Sequence, residues 1–187
     1  MTVKEKKRGR PKGKSSQLSG EAIVAGAKAL MKLEGKVPSI RKLAASLDVD
    51  AMAIYHYFTN KNALLEAVTV SLVGEIYRPD PEAEWQQELT KLCESYLSLL
   101  ALYPGLLEIL LGMTSHGPAT VFIERFDLAI ASLPLTDDLR CNALSMLVDY
   151  LHGYALALNC QAGNELQVGM LSGPLDFYMQ ALQQMAD

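Results

Sequence analysis

The chain has 187 residues, half of them hydrophobic, and a formal net charge of -4. That length allows one or two domains with a substantial core. No apolar stretch reaches the roughly 18 residues that a membrane span requires, and the basic start is not followed by the apolar segment of a secretory signal. The three widely spaced cysteines form no C-x-x-C pair, which favours buried thiols in a reducing compartment over disulfides or zinc. We therefore expect a soluble, cytoplasmic protein without a membrane partner.

The charge is divided along the chain. Residues 1–61 hold ten Lys and three Arg against five acids, a balance of +8. Residues 62–187 hold four cations and sixteen acids, a balance of -12. A positive first third suits a polyanion such as DNA, whereas the acidic remainder is repelled by one. The two parts are expected to have different partners.

The most basic segment is KKRGRPKGK at residues 6–14, within a flexible arm that we place at residues 1–18. Pro11 disfavours helix at Arg10, and Gly9 leaves the backbone narrow enough to enter a groove. The sequence RGRP, which contains Arg8 and Arg10, resembles the core of an AT-hook, a segment that lays two arginines along the minor groove of A/T-rich DNA. The alternative is a solvated tail that adds only nonspecific charge.

Apolar residues beyond the arm recur at spacings of three and four, which predicts an all-α protein. Ser19 suits the N-cap of a first helix that ends at Gly35. Ser39 and Asp50 can cap two further short helices, over 40–47 and 51–57, joined by a turn of about three residues. This pattern predicts a helix-turn-helix, whose second helix enters the major groove of DNA. Asn60 can cap a long fourth helix.

Residues 19–65 resemble the DNA-binding domain of the tetracycline-repressor family of bacterial transcription regulators. The resemblance is carried by the block IRKLAASLDV, by IYHYF at residues 54–58, and by Lys61 followed by two leucines. Asp48 stands where the family usually has glycine, and Tyr57 where it often has histidine. Asp tolerates a left-handed turn, and Tyr can still donate a hydrogen bond to a phosphate, so both changes are compatible with the family.

The resemblance also implies which residues of this head contact DNA. Arg41 suits a bidentate contact to guanine, whereas the alanines and the methionine of the second short helix offer only apolar contact. The positions implied to face base edges are Arg41, Ala51, Met52, Ala53 and His56, and those implied to face phosphates are Ser39, Tyr55, Tyr57 and Lys61. Because the recognition helix has few base-reading side chains, we expect Arg8 and Arg10 to add a preference for A/T flanks.

Residues 66–187 predict a helical ligand-binding and dimerisation domain. Helical patterns extend from the break at Pro79 to Tyr103, then over 106–113, 118–132, 137–159 and 165–185. In the family the last two long helices form a dimer interface. Here small Gly153 and Ala157 would permit close approach, and the last helix would add Leu175, Tyr178, Met179 and Leu182. The residues of the 137–159 helix expected at the interface are Ala143, Met146, Leu147, Tyr150, Gly153, Tyr154 and Ala157. The alternative is that these faces only close the core of a monomer. A twofold homodimer would bind a near-palindromic operator.

A cavity for a small apolar or aromatic effector is expected between the fifth helix and those that follow it. The resemblance does not extend to the histidines that hold a magnesium–tetracycline complex, since Leu111 precedes Gly112 and the segment at Ile76 lacks histidine. We expect no cofactor and no metal. The residues expected to line the cavity are Trp85, Tyr96, Leu100, Tyr103, Leu107, Phe122, Phe126 and Tyr150.

The alternative function is a helical small-molecule-binding protein or enzyme without operator binding. The chain has no G-x-S-x-G sequence, no glycine-rich phosphate loop and no E-x-x-H pair typical of di-metal bundles. We therefore predict that the protein is not an enzyme, and that it is a ligand-responsive regulator, a repressor released from DNA by its effector. Activators share this architecture, and nothing in the sequence separates them from repressors.

Overall fold

The computed structural model describes residues 18–113, 117–160 and 166–186, and within these ranges every regular element is helical. We call α1–α4 the head and α5–α9 the body. The helices are α1 (Gly20–Glu34), α2 (Ile40–Ser46), α3 (Ala51–Tyr55), α4 (Lys61–Val73), α5 (Trp85–Leu102), α6 (Leu106–Gly112), α7 (Gly117–Ala129), α8 (Asp137–Cys160) and α9 (Ser172–Ala186), with a 3-10 helix, Val168–Leu171, before α9. The predicted all-α fold is confirmed.

Side-chain caps define where the four helices of the head begin. Ser19 accepts a hydrogen bond from the Ala22 amide at 3.1 Å, and Ser39, Asp50 and Asn60 accept equivalent bonds at the starts of α2, α3 and α4. Each cap satisfies an amide that has no partner within its helix. The predicted starts of all four helices are therefore confirmed.

The turn between α2 and α3 contains a left-handed residue. Asp48 has φ of 54°, the one non-glycine residue with positive φ in the described ranges. The turn is closed by a hydrogen bond from the Val49 amide to the Ala44 carbonyl at 3.0 Å. Aspartate accepts this conformation at lower cost than most side chains. The replacement of the family's glycine by Asp48 is therefore compatible with the helix-turn-helix.

The bounds of three helices differ from the predicted organisation. Helix α3 ends at Tyr55 rather than at residue 57, because His56 and Tyr57 form the turn that leads to Asn60. Helix α4 ends at Val73 and passes without a break through the predicted domain boundary between residues 65 and 66. The last helix begins at Ser172, after the 3-10 turn.

A continuous hydrophobic core joins the head to the body. Helix α4 packs against α1 on one side and against α6 and α7 on the other. Val68, Leu72 and Val73 are fully buried at these contacts. Within the described ranges no single helix is long and apolar enough to cross a membrane, although the sharply bent pair α5 and α6 together reach that length and apolarity.

The connector between α4 and α5 is organised by one buried carboxylate. Glu88 accepts hydrogen bonds from the Tyr77 hydroxyl at 2.7 Å, from the Asp80 amide at 2.8 Å and from the Lys91 ammonium at 2.7 Å. These three donors favour the ionised form and lower the pKa of Glu88 from 4.5 to about 2, the bond from Lys91 having the largest effect. Glu88 thus fixes the path between head and body.

This network predicts an acid-labile contribution to stability. Because the pKa of Glu88 is lower in the folded protein, its contribution is present above about pH 4.5 and is lost as the pH falls towards 2. Glu88→Gln should therefore lower the free energy of unfolding at pH 7, and its difference from the wild type should shrink below pH 4.5. Urea unfolding monitored by circular dichroism at several pH values measures both the loss of stability at pH 7 and its dependence on pH. Exposed Glu82→Gln is the control, and a pH-independent difference for Glu88→Gln contradicts the assignment.

Candidate nucleic-acid interface and effector cavity

The expected DNA-contacting side chains of the head lie together on an exposed surface formed by α2, α3 and the start of α4. Arg41 and Lys61 are exposed, and within the described residues neither side chain has a hydrogen-bond or ion-pair partner. By contrast, Lys42 pairs with Glu34 at 2.7 Å. Arg41 and Lys61 are therefore the cations of this surface that remain available for a polyanion.

The recognition helix α3 presents an apolar and aromatic surface. Met52, Tyr55 and His56 are exposed, whereas Ala51 and Ala53 are half-buried and offer only part of their methyl groups. Ile54, on the opposite side of α3, is fully buried in the core. Two hydrogen-bonding side chains are therefore available here to a base or a phosphate, the Tyr55 hydroxyl at the end of α3 and the His56 imidazole in the turn that follows.

Two expected phosphate contacts already have internal partners. The Ser39 hydroxyl oxygen accepts the Lys42 amide at 3.2 Å, which still leaves its proton free for a phosphate. The Tyr57 hydroxyl donates to the Leu18 carbonyl at 2.5 Å. A phenol has one proton, so Tyr57 cannot donate to a phosphate while this bond persists. The expected contacts of Arg8 and Arg10 lie outside the described residues.

Helix α4 connects this surface to the body, and its C-terminal turn is held by polar contacts from two helices. Lys28 of α1 bonds to the Ser71 hydroxyl at 3.2 Å and forms an ion pair with Glu75. Arg125 of α7 donates to the Gly74 carbonyl at 2.8 Å and to the Ile76 carbonyl. A cation at the end of a helix satisfies carbonyls that have no partner within it and complements the helix dipole.

A cavity of about 430 Å³ lies beside the same turn of α4, between α5, α6, α7 and α8. Its volume is within the range of sites for small organic molecules. Most of its wall is apolar, and its polar side chains are concentrated on α8. The described lining residues are Val73, Tyr96, Leu110, Leu111, Met113, Pro118, Ala119, Phe122, Ile123, Leu144, Ser145, Val148, Asp149 and His152.

The predicted cavity residues are only partly correct. Tyr96 and Phe122 line the cavity, with ring centroids 4.7 Å apart. Tyr150 instead lies on the outer side of α8, in a groove shared with α9. The others fill the core between helices because their positions on α5, α6 and α7 point away from the cavity. These core residues are Trp85, Leu100, Tyr103, Leu107 and Phe126.

The polar side of the cavity was not predicted. Ser145, Asp149 and His152 follow one another at helical spacing on α8, and the Tyr96 hydroxyl lies 2.9 Å from His152 Nε2. Burial raises the pKa of the Tyr96 phenol and lowers the pKa of the His152 imidazole, an effect that the nearby Asp149 partly opposes. A polar stripe at spacings of four and three on an otherwise apolar helix is the sequence signal that would have identified these residues.

No described group of three or more His, Cys, Asp or Glu side chains has the arrangement of a metal site. The cysteines within the described ranges are free, with Cys93 buried and Cys141 and Cys160 exposed.

A second apolar surface lies on α8 and α9, on the side away from the cavity. Met146 and Phe177 are 63% and 74% exposed, and Tyr150 is also exposed. Gly153 and Gly173 on the same helices have open space where a Cβ atom would stand. Of the residues predicted for a dimer interface on α8, Met146, Tyr150, Gly153 and Ala157 are exposed, whereas Ala143, Leu147 and Tyr154 pack within the protomer. The exposed set forms one continuous stripe at helical spacing.

These features define a class of protein in which a helix-turn-helix head is joined, through one shared helix, to a helical body with an internal cavity. Residues 23–68 match the family model described as bacterial regulatory proteins, tetR family. Residues 78–172, more than half of the chain, match the tetracyclin repressor-like C-terminal domain. The chain belongs to the tetR family of bacterial regulatory proteins, which confirms the resemblance seen in the sequence.

Individual relatives agree with this assignment. The chain is 25% identical over 139 residues to the HTH-type transcriptional repressor DrrR1 of Streptomyces coeruleorubidus; the match covers 71% of this chain and 50% of DrrR1. The chain thus spans about half the length of this curated relative. ActR of Streptomyces coelicolor in complex with actinorhodin has a TM-score of 0.76 at 21% identity, covering 91% of this chain and 98% of ActR. BioQ with its double-stranded DNA operator has a TM-score of 0.73 at 20% identity, covering 90% and 99%.

Proposed function

We propose that the protein is a ligand-responsive transcriptional repressor that binds a near-palindromic DNA operator as a homodimer and is released by a small apolar or aromatic effector. The observation that carries this proposal is helix α4, which begins at exposed Lys61 on the head surface and ends at Val73 in the wall of the cavity. A change in the cavity therefore acts directly on the helix that orients the head. A bacterial repressor acts on the chromosome, so we place the protein in the cytoplasm.

The relatives support three parts of this proposal, namely repression, operator binding and effector binding. DrrR1 is named a transcriptional repressor, BioQ has been crystallised with an operator, and ActR has been crystallised with actinorhodin. The acidic body, with its balance of -12 after residue 61, would keep the cavity domain away from DNA while the basic head binds it. The alternative, a ligand-binding protein or enzyme without operator binding, is favoured only by the cavity and predicts no selective affinity for duplex DNA.

The effector would act by shifting an equilibrium between head orientations. A ligand changes this equilibrium only by its differential affinity for the two states. The contacts that must rearrange are those at the end of α4, where Arg125 of α7 holds two carbonyls and Lys28 of α1 holds Ser71. Helix α7 also contributes Phe122 to the cavity. Displacement of α7 by a ligand is therefore transmitted to α4 through Arg125.

Substitution of Lys61 and substitution of Arg41, the two available cations of the head, should affect operator binding in different ways. We expect selection from a random duplex library to yield a near-palindrome with half-sites about one helical turn, roughly 34 Å, apart. Lys61→Ala should weaken binding to all duplexes and reduce the slope of log affinity against log salt by about one. Arg41→Ala should cost about 1–3 kcal/mol on the selected operator and relax specificity at one base pair.

Fluorescence anisotropy at several salt concentrations measures these effects. Lys32→Ala is a matched control, since Lys32 is exposed on α1 and is not among the expected DNA contacts. No sequence-selective binding at low salt contradicts the proposed function, and wild-type behaviour of both Arg41→Ala and Lys61→Ala contradicts the proposed orientation of the head on DNA.

The arm at residues 1–18 is proposed to extend from the head into a neighbouring minor groove. Its last residue, Leu18, is held to the end of the recognition helix by the hydrogen bond from Tyr57. This bond places Leu18, the first residue that the structure describes, next to the expected DNA surface. Arg8 and Arg10 lie eight to ten residues before Leu18. An extended chain advances roughly 3.3 Å per residue, so an arm of this length can reach from the head to a neighbouring minor groove. We therefore propose that Tyr57 positions the arm instead of contacting a phosphate.

A double-mutant cycle distinguishes these two roles of Tyr57. If Tyr57 acts through the arm, Tyr57→Phe weakens binding in the full chain but has no effect once residues 1–14 are deleted. If Tyr57 contacts a phosphate, the substitution costs the same in both backgrounds. Affinities for operators with A/T and with G/C flanks provide the measurement. Equal losses on both flanks after deletion would show that the arm adds only nonspecific charge.

Homodimerisation is proposed to occur through the exposed stripe of α8 and the facing surface of α9. Large apolar side chains that remain exposed beside open glycines are typical of a surface covered by another copy in the assembled protein. Pairing of the two helices with their twofold mates would bury Met146, Tyr150 and Phe177 together. It would also place two heads on one side of the dimer, as a palindromic operator requires.

Gly153→Arg tests this interface without disturbing the protomer, because a Cβ at Gly153 meets no atom within 4 Å. We expect a monomer by analytical ultracentrifugation, with the helical circular dichroism spectrum retained and operator affinity strongly reduced. Ser98→Arg adds the same charge at an exposed position on α5 and should leave the dimer intact. A wild-type protein that is monomeric at micromolar concentration, or an unaffected Gly153→Arg dimer, contradicts this interface.

A further inference from the structure

The polar groups of the cavity form one edge opposite an apolar wall. Ser145, Asp149 and His152 lie on consecutive turns of α8, and Tyr96 reaches the same edge from α5. The facing wall is formed by apolar side chains of α6 and α7, among them Leu110 and Phe122. An occupant that fits both sides is amphiphilic, with an apolar body and one polar edge.

The two hydroxyl protons of this edge are already used within the protein. The Ser145 hydroxyl donates to the Cys141 carbonyl at 2.9 Å. The Tyr96 phenol is a stronger acid than imidazole N–H, and imidazole nitrogen is the stronger acceptor, so we assign the proton of the 2.9 Å contact to Tyr96, donating to His152 Nε2. Ionised Asp149 has acceptors only. The oxygens of Ser145, Asp149 and Tyr96 therefore all present lone pairs, which a ligand can satisfy only with donors.

The formal charge at this edge of the cavity is negative and is carried by the carboxylate of Asp149. Asp149 is exposed and has no ion-pair or hydrogen-bond partner among the described residues. No Lys or Arg belongs to the described lining. Lys91 and Arg140 are paired with acids elsewhere in the body, and Arg125 is engaged by the carbonyls at the end of α4. A carboxylate or phosphate ligand would thus meet an unpaired negative charge and no cation.

We propose that the effector is an amphiphilic organic cation, an apolar and preferably aromatic body carrying one protonated amine whose N–H groups donate to Asp149 and the neighbouring oxygens of Ser145 and Tyr96. This proposal rests on the proposed role of the cavity as the effector site and names the chemical class that the site selects. Burial lowers the pKa of His152, so the imidazole stays neutral at pH 7 and does not repel the amine.

Three probes with the same ring test this preference directly. They are 9-anthracenemethylamine, 9-anthracenemethanol and 9-anthracenecarboxylate, which are cationic, neutral and anionic at pH 7, and their fluorescence reports binding to the purified protein without DNA. We expect the amine to bind about threefold to fivefold more tightly than the alcohol, as for one exposed ion pair. The carboxylate should bind more weakly than the alcohol by a similar factor. In Asp149→Asn the amine and the alcohol should bind equally, with the affinity for the alcohol unchanged.

Two further variants test whether the preference for the amine arises in the cavity. Asp138→Asn removes an exposed acid from the same helix outside the cavity and should retain the preference for the amine. Ala119→Trp fills the cavity from an exposed position on its wall and should abolish binding of all three probes. Equal or tighter binding of the carboxylate, an unchanged preference in Asp149→Asn, or failure of all three probes to bind the wild type overturns the proposal. Because no DNA is present, each of these results is independent of operator binding.

Discussion

The relation between head and body depends on how the C-terminal turn of α4 is held. Helix α4 belongs to the cores of both parts, with Val68 and Leu72 buried between α1 and the body. Apolar contacts fix its distance from neighbouring helices, but they are non-directional and tolerate sliding. Lys28 and Arg125 add directional bonds at the point where the helix ends. These two side chains come from different parts of the molecule, Lys28 from the head and Arg125 from the body, so the last turn of α4 is held from both.

Helix α8 meets three different environments around its circumference. One side packs in the protomer through Ala143, Leu147 and Leu151, the second borders the cavity through Asp149 and His152, and the third is the exposed stripe that contains Met146. A helix with apolar side chains on two sides and a polar stripe on the third has little net amphipathicity, which makes its sides hard to assign from sequence. A ligand against one side and a second copy against another would act on the same rigid element.

The sequence predicted the head almost completely, because its signals are local. Ser19, Ser39, Asp50 and Asn60 each cap the next helix within three residues, and Asp48 marks the turn. The cavity could not be predicted in this way, since its walls come from five helices whose rotations are set by packing. Aromatic residues were expected to line it, yet Trp85 and Phe126 fill the core, where large apolar side chains stabilise the fold most. The hydrogen bond between Tyr57 and Leu18 could not be predicted from the sequence either, because a phenol can donate to a carbonyl or to a phosphate with similar geometry.

An edge whose oxygens act only as acceptors towards the cavity is compatible with a stable protein. A buried carboxylate without a partner would be strongly destabilising, but Asp149 remains exposed at the edge of the cavity and keeps its hydration. Tyr96 and Ser145, in contrast, have used their protons on internal acceptors. Neither hydroxyl proton is therefore left without an acceptor, and a ligand with N–H donors adds contacts to the oxygens of this edge. A bound anion would displace water from Asp149 without supplying an opposite charge. The preference for a cation therefore follows mainly from the unfavourable free energy of binding an anion at this site.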